Sequence, residues 1–174
     1  MARRRVQVFL GCAVVVAAAA LAIIQGGRAF AQAGQTIQGG LSGFQEVPVI
    51  STTGTGSFVG VIVTGDTAIN YQLNYSNTQG TVSMAHIHIG QAGVNGGIVA
   101  FLCGGGGKPA CPPTGPVTGT IAAADIQAVP SQGIAAGELA EVLAAIRAGV
   151  TYANVHTRTF GGGEIRGRIR VPTP

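Results

Sequence analysis

Three histidines carry the clearest chemistry in this sequence. His86 and His88 are separated by one residue, and His156 follows much later in the chain. A β-strand through the first pair places both rings on one face, with Cα atoms about 7 Å apart. If the strand that carries His156 is a neighbour, three imidazole nitrogens surround one ion. Imidazole is a common ligand of copper and zinc, so the pattern predicts a mononuclear site for one of these metals.

A structural interpretation of the same residues stays open. A His-x-His pair on a strand can form a hydrogen-bonded polar cluster without any ion. His86, for example, would then donate to Glu46 or Glu164 and hold two loops together. In the metal-binding interpretation, four polar residues are expected to support the ligands from the surrounding structure: Glu46, Asn154, Glu164 and Arg166.

The elements that must position these residues are short β-strands. Residues 67–75 show the pattern well, because apolar and amide side chains alternate along them. About eight short strands with frequent glycine turns predict a mainly β protein, an antiparallel β-sandwich or barrel. The strand segments located by pattern are residues 55–63, 67–75, 82–89, 97–102, 117–122, 151–157 and 164–171.

One helix is predicted in the late connection between the strands at 117–122 and 151–157. Residues 138–148 place four apolar side chains on one stripe, and Gly149 is a natural C-terminal stop. A second, short helical turn is expected to start at Asp125, before Pro130.

The N-terminus has the order of parts of a signal peptide. Three arginines at positions 3–5 precede an uncharged apolar run over residues 8–24. Two small-x-small sites follow, which predict cleavage after Ala31 or Ala33. Residues 1–33 are therefore predicted to be a signal peptide and residues 34–174 a single domain. The alternative is an uncleaved segment that anchors the protein to a membrane.

Export changes the interpretation of charge. Four of the ten Lys and Arg residues lie in the predicted signal peptide, so the six acidic residues of the chain face an equal number of cations. The basic character of the whole chain does not indicate a nucleic-acid partner. We expect a secreted, periplasmic or cell-surface protein with an extracytoplasmic partner or surface, and membrane contact only through an uncleaved signal segment.

Two cysteines, Cys103 and Cys111, remain after processing. In an oxidising compartment they are expected to form a disulfide across a glycine-rich segment. Free thiols or a metal site are the alternatives.

Arginines alternate near the C-terminus at positions 166, 168 and 170. On a strand they share one face, which favours a solvated surface or, alternatively, a binding surface for acidic polysaccharide.

Several motifs resemble the CHRD domain, first named from chordin. Residues 41–48, LSGFQEVP, are similar to its opening, and residues 85–90, AHIHIG, with 93–97, GVNGG, are similar to its centre. Residues 152–157, YANVHT, and 163–167, GEIRG, resemble its close. The motifs run in family order over about residues 38–171. The resemblance implies a module of secreted and surface proteins with no generally established enzymatic activity.

A second resemblance concerns the histidines. His86 and His88 on a strand, a glycine-rich loop after them and a late His156 look like the copper half of copper–zinc superoxide dismutase, which is also a β-sandwich. The resemblance implies a sandwich that is either immunoglobulin-like or superoxide-dismutase-like. No further histidine exists for a fourth copper ligand or for the zinc site. In this view Arg158 or Arg166 would steer an anion.

These observations favour a noncatalytic CHRD module that acts in binding or envelope structure. There is no nucleophile elbow and no phosphate-binding glycine loop. The alternative is a mononuclear copper or zinc protein, redox-active in the manner of superoxide dismutase, that uses the three histidines.

Overall fold

The computed structural model describes residues 34–173. The predicted signal peptide and its two cleavage positions lie outside the described residues. Within the described part, no helix is both long enough and apolar enough to cross a membrane.

Eight antiparallel strands form one sheet in the described part of the chain. The strands are β1 Gln35–Ser42, β2 Thr55–Ile62, β3 Ala68–Ser76, β4 Val82–Ile89, β5 Gly97–Cys103, β6 Val117–Ala122, β7 Thr151–Thr157 and β8 Ile165–Ile169. Their order in the sheet is β5-β4-β7-β8-β1-β2-β3-β6. The sheet curls so far that its end strands, β5 and β6, contact each other. Across the same junction the hydroxyl of Tyr71 on β3 donates to the carbonyl oxygen of Leu102 on β5 at 2.7 Å.

One α-helix, α1, spans Leu139–Arg147 in the connection between β6 and β7. It buries an apolar stripe of Leu139, Val142, Leu143 and Ile146. Short 3-10 helices cover Gly43–Gln45, Ala123–Asp125 and Pro130–Gln132.

The mainly β prediction and the position of the helix are confirmed. Seven of the strands were located by pattern, most within a residue or two of their observed ends. The strand β1 was not located, because Gly39 and Gly40 interrupt its apolar alternation. The short helical turn expected to start at Asp125 instead covers Ala123–Asp125 and ends there. The Asp125 carboxylate accepts a hydrogen bond from the backbone N–H of Ala122, the residue that precedes the turn.

The core fills the inside of the curled sheet. On β3 the alternation predicted from the sequence is observed, and Ile69, Tyr71, Leu73 and Tyr75 are all buried. On β4 and β7 the inward residues are Ala85, Ile87, Ala153 and Val155, each with no exposed surface. Because alternate residues point to opposite faces, the histidines of these two strands lie on the outside of the sheet.

Three loops approach this outer face. Loop A covers residues 43–54 between β1 and β2, loop B covers residues 90–96 between β4 and β5, and loop C covers residues 158–164 between β7 and β8. Each contributes hydrogen-bonding groups to the histidines or to their neighbours, as described below. The outer face of β4 and β7 is therefore an interior between sheet and loops rather than a solvated surface.

The disulfide predicted between Cys103 and Cys111 is confirmed. It closes residues 104–110, the disulfide loop, directly after β5. Backbone hydrogen bonds also hold this loop, from the N–H of Gly104 to the carbonyl oxygen of Pro109 and from the N–H of Lys108 to that of Gly105.

Reducing the disulfide should lower the free energy of unfolding by about 2.6 kcal/mol, because the unfolded chain regains the entropy of a short open loop. Urea denaturation of the oxidised protein and of the same protein in a reducing agent measures the difference. The C103A/C111A variant is the control, because the reducing agent should leave its midpoint unchanged. Equal midpoints for the oxidised and reduced parent protein would contradict a stabilising disulfide.

Candidate metal centre

The register between β4 and β7 brings the histidines together. His86 lies opposite Asn154, His88 lies opposite Tyr152, and His156 lies opposite Met84. Ring centroids are 4.5 Å apart for His86 and His88 and 4.4 Å apart for His86 and His156. Each ring offers a ligand nitrogen, and the three nitrogens lie within 4.8 Å of one another. All three histidines are buried, with exposures of 1% for His86, 9% for His88 and 8% for His156.

Two backbone carbonyls fix the orientation of two rings. Nδ1 of His88 lies 2.8 Å from the oxygen of Gly96 in loop B, and Nδ1 of His156 lies 2.9 Å from the oxygen of Gly161 in loop C. A carbonyl only accepts, so both rings carry their proton on Nδ1 and leave a lone pair on Nε2. Metal-bound histidines are held in this way in proteins generally.

One nitrogen of each ring is buried and has no hydrogen-bond partner in the described part of the chain. These atoms are Nδ1 of His86, Nε2 of His88 and Nε2 of His156. Buried polar atoms are normally hydrogen-bonded. Unpartnered nitrogens on three neighbouring histidines therefore indicate a site for a ligand. Each ring also offers a ligand nitrogen within 4.8 Å of the other two, so a small inward movement would bring three nitrogens to one ion at bond lengths of about 2.0–2.1 Å.

The electrostatics keep the rings neutral. The pKa of His86 is lowered to about 3. Burial is the largest cause, followed by the neighbouring rings of His156 and His88. Burial likewise lowers the pKa of His88 to about 4, against an opposing contribution from the bond to Gly96. The pKa of His156 is also lowered by burial. A metal ion therefore competes with few protons at neutral pH.

His86 packs edge to face against an aromatic ring, that of Phe101. Its ring meets that of Phe101 on β5 at 5.4 Å between centroids with an angle of 85°. The disulfide loop covers the other side of Phe101 so closely that a Cβ at Gly105 or Gly106 would lie 2.5 Å from the ring. A larger residue would not allow this approach, which explains glycine at positions 105 and 106.

Tyr152 links His88 to loop B in a closed arrangement. Its ring stacks on His88 at 4.7 Å between centroids and 7° between planes. Its hydroxyl oxygen accepts the backbone N–H of Gly96 at 3.1 Å, and the carbonyl of that same glycine holds His88. The guanidinium carbon of Arg166 lies 4.6 Å from the centre of the Tyr152 ring.

Two of the predicted supporting residues lie side by side next to the histidines. Glu46 of loop A and Asn154 on β7 are both buried, and Oε1 of Glu46 and Oδ1 of Asn154 have no hydrogen-bond partner in the described part of the chain. Burial raises the pKa of Glu46 to about 7, although the nearby Arg166 and Asn154 lower it. A Cβ at Gly163 would lie 2.7 Å from both side chains, so loop C closes over them only as glycine.

Arg166 and Glu164 have different surroundings. Arg166 is buried and donates to the carbonyl oxygen of Gln45 and, at 2.8 Å, to Oδ1 of Asn95. Glu164 is fully buried away from the rings and accepts hydrogen bonds from Thr52, Gln79 and Thr157. No hydrogen bond joins His86 to Glu46 or Glu164 in residues 34–173, so the carboxylate-linked cluster considered from the sequence is not observed.

The alternating arginines are not one solvated face. Arg170 is exposed, Arg168 is half-buried, and Arg166 is buried under loops A and B. Arg166 and Arg168 alternate along β8, and Arg170 follows the end of that strand. A strand pattern carries no information on loops that fold back over one side of a strand. Arg158, the other arginine considered for anion steering, is exposed in loop C.

Sequence reasoning gave no role to Tyr152 or Phe101 and did not identify the two carbonyls. A usable signal existed for Tyr152, which alternates with Asn154 and His156 on the same face of β7. No signal existed for the carbonyls, because every residue carries one.

The fold and the site together define a curled antiparallel β-domain with a three-histidine cluster under its loops. A model of the CHRD domain matches residues 37–169, and the chain belongs to that family. No curated protein and no solved structure matches it. The CHRD resemblance seen in the sequence motifs is thereby confirmed.

The buried histidines should make the metal-free protein sensitive to acid. The unfolded chain binds a proton on each histidine near pH 6.5, whereas folded His86 does so only near pH 3. The unfolded state therefore holds more protons between these values, and stability falls as the pH decreases. In His86→Gln this difference is smaller by about one proton, so the slope of the unfolding free energy against pH should be smaller by roughly 1.4 kcal/mol per pH unit.

Urea unfolding at several pH values between 7 and 4, with a chelator present, measures both slopes. Glu46 acts in the opposite direction, because its raised pKa makes the folded state bind its proton first. This contribution is common to the parent protein and the variant, so their difference reports on His86. The exposed Arg158→Gln variant serves as control and should keep the parent slope. Parallel curves for the parent and His86→Gln would contradict the prediction, because they would mean that His86 takes up its proton at the same pH in the folded and unfolded states.

Proposed function

We propose that this chain is an exported, noncatalytic CHRD module that binds one copper or zinc ion through His86, His88 and His156. The observation that carries the proposal is a cluster of three buried histidines, each of which has a nitrogen without a hydrogen-bond partner and offers a ligand nitrogen within 4.8 Å of those of the other two. The bound ion would supply these nitrogens with the partner that the protein does not.

The donor set selects the class of metal. All three candidate ligands are neutral imidazoles, and Ca²⁺ and Mg²⁺ prefer oxygen ligands. Copper and zinc accept imidazole readily, and a three-histidine set leaves a further coordination position for water or a small ligand. The sequence has three histidines in all, so a second histidine site of the kind found in copper–zinc superoxide dismutase has no ligands here. We therefore do not propose dismutase activity.

A structural role for the ion follows from what holds the rings. His88 is tied to loop B through Gly96, and His156 is tied to loop C through Gly161. An ion bound to both rings fastens two loops to each other and to the outer face of β4 and β7. Binding energy is then folding energy for the loops, as in other structural metal sites.

The proposed location rests on separate features. The N-terminal pattern of the sequence is that of a signal peptide, and the disulfide is of the kind that persists outside the cytoplasm. CHRD membership is consistent with such a location.

Metal content tests the central proposal. After loading with excess copper or zinc and desalting, elemental analysis should find one ion per chain. His88→Ala and His156→Ala should each lose most of the metal, because two imidazoles remain. Gln72→Ala on the exposed face of β3 is the control and should retain one ion. A parent protein without stoichiometric metal, or a His88→Ala variant that retains it, would refute the site.

Removing the Tyr152 hydroxyl tests the arrangement around His88. Tyr152→Phe leaves the Gly96 N–H without its acceptor and loosens the carbonyl that orients His88. We expect metal affinity to fall about 10–100-fold, the range for residues that position ligands. Competition with a chromophoric chelator measures the affinity.

Tyr71→Phe is the matched control, since it deletes the same atom from another buried tyrosine that bonds only Leu102 in the described part of the chain. Both variants should lose about 1 kcal/mol of stability. Equal metal affinities in the two variants would mean that Tyr152 is only a packing residue.

A further inference from the structure

A separate cleft lies beside the histidine cluster, beyond Tyr152. Its volume is about 330 Å³, and its walls come from loop A and loop B over a floor on β7 and β8. The floor includes Tyr152, Arg166 and Arg168. A space of this size lies at the lower end of ligand pockets and suits a small organic molecule.

The walls of the cleft are unusually apolar for an exposed surface. Phe44 and Val49 of loop A are 73% and 65% exposed, and they are the two most exposed large hydrophobic side chains among the described residues. Both line the cleft. Exposed apolar side chains cost free energy in water unless something covers them, and a concave apolar site with a few polar groups is the usual form of a ligand pocket.

The two arginines of the floor donate hydrogen bonds to neutral acceptors. Arg166 is 4% exposed, and its guanidinium donates to the carbonyl oxygen of Gln45 and to Oδ1 of Asn95. Arg168 donates to the carbonyl of Gly149, also neutral, while its Nε is buried without a partner. Within residues 34–173, neither arginine has a carboxylate within 4.0 Å. Buried cations are costly unless paired, so the floor favours an anion.

One carboxylate, that of Glu46, also lines the cleft. The lining thus holds two guanidinium groups and one carboxylate, so one positive charge is left over even when that carboxylate is ionised. A ligand with a single negative charge therefore suits the floor better than a dianion.

We infer that this cleft binds a small monocarboxylate with an apolar body. The carboxylate lies against the guanidinium groups of Arg166 and Arg168, and the apolar body packs against Phe44 and Val49. Arginine suits this role because its planar group donates to both oxygens of a carboxylate. The inference does not depend on a metal ion, because none of the three histidines lines the cleft.

Titration of the full chain with sodium benzoate and sodium hexanoate, followed by calorimetry or NMR, tests the inference. Both should bind saturably with a Kd near or below about 1 mM, and benzamide and hexanamide should bind at least about 10-fold more weakly. The titrations are performed with a chelator present, so carboxylate binding to a metal ion cannot produce the signal. The same titrations are repeated with the metal-loaded protein without chelator. Binding that occurs there but not in the presence of chelator would show that the carboxylate binds metal and would overturn the cleft assignment.

Variants locate the site. Phe44→Ala removes an exposed side chain, which leaves the fold intact, and should weaken benzoate binding about 10-fold. Arg168→Gln should weaken benzoate and leave benzamide unchanged. Val59→Ala, at an exposed apolar residue of β2 outside the cleft, is the matched control and should change neither. Absence of saturable binding by the parent protein, equal binding of acids and amides, or equal binding by Phe44→Ala and the parent would each refute the inference.

Discussion

The antiparallel register between β4 and β7 is the constraint on which the site depends. It sets His88 opposite Tyr152, His86 opposite Asn154 and Met84 opposite His156. A slip of one residue would exchange the two faces of a strand, moving imidazoles into the core and isoleucine or alanine under the loops. The inward residues Ala85, Ile87, Ala153 and Val155 prevent the slip, because they are fully buried. Burial of the apolar residues on one face of each strand thus determines which residues lie on the other face.

The cluster on the outer face is costly in the absence of a ligand. Three nitrogens are buried without hydrogen bonds, and unsatisfied buried groups of this kind each cost about 1–3 kcal/mol. The surroundings nevertheless preserve the arrangement through two carbonyls, a stacked tyrosine and an edge-on phenylalanine. Structure that keeps rings oriented while leaving their lone pairs free is consistent with a prepared coordination site.

The sequence predicted the parts that follow from periodicity. The predicted bounds of β4, β6 and β7 agree with the observed ones, because the patterns of these strands are short, regular and flanked by turns. The nearness of His156 to the His86 pair followed only if β4 and β7 were neighbours, and alternation along a strand cannot show which strands pair. The carbonyls of Gly96 and Gly161, the burial of Arg166 and the position of Phe44 depend on loops, whose paths have no period. The strand β1 was missed for a related reason, because glycines remove the side chains that make a pattern visible.

The outward placement of the histidines sets an order of events. None of the three belongs to the packed interior of the sheet, so the sheet can close whether or not an ion is at hand. With the ion proposed above, closure of the sheet and acquisition of the ion would be separate steps, because no histidine belongs to the apolar interior. The ion that the cluster takes would then depend on the metals available to a sheet that has already closed.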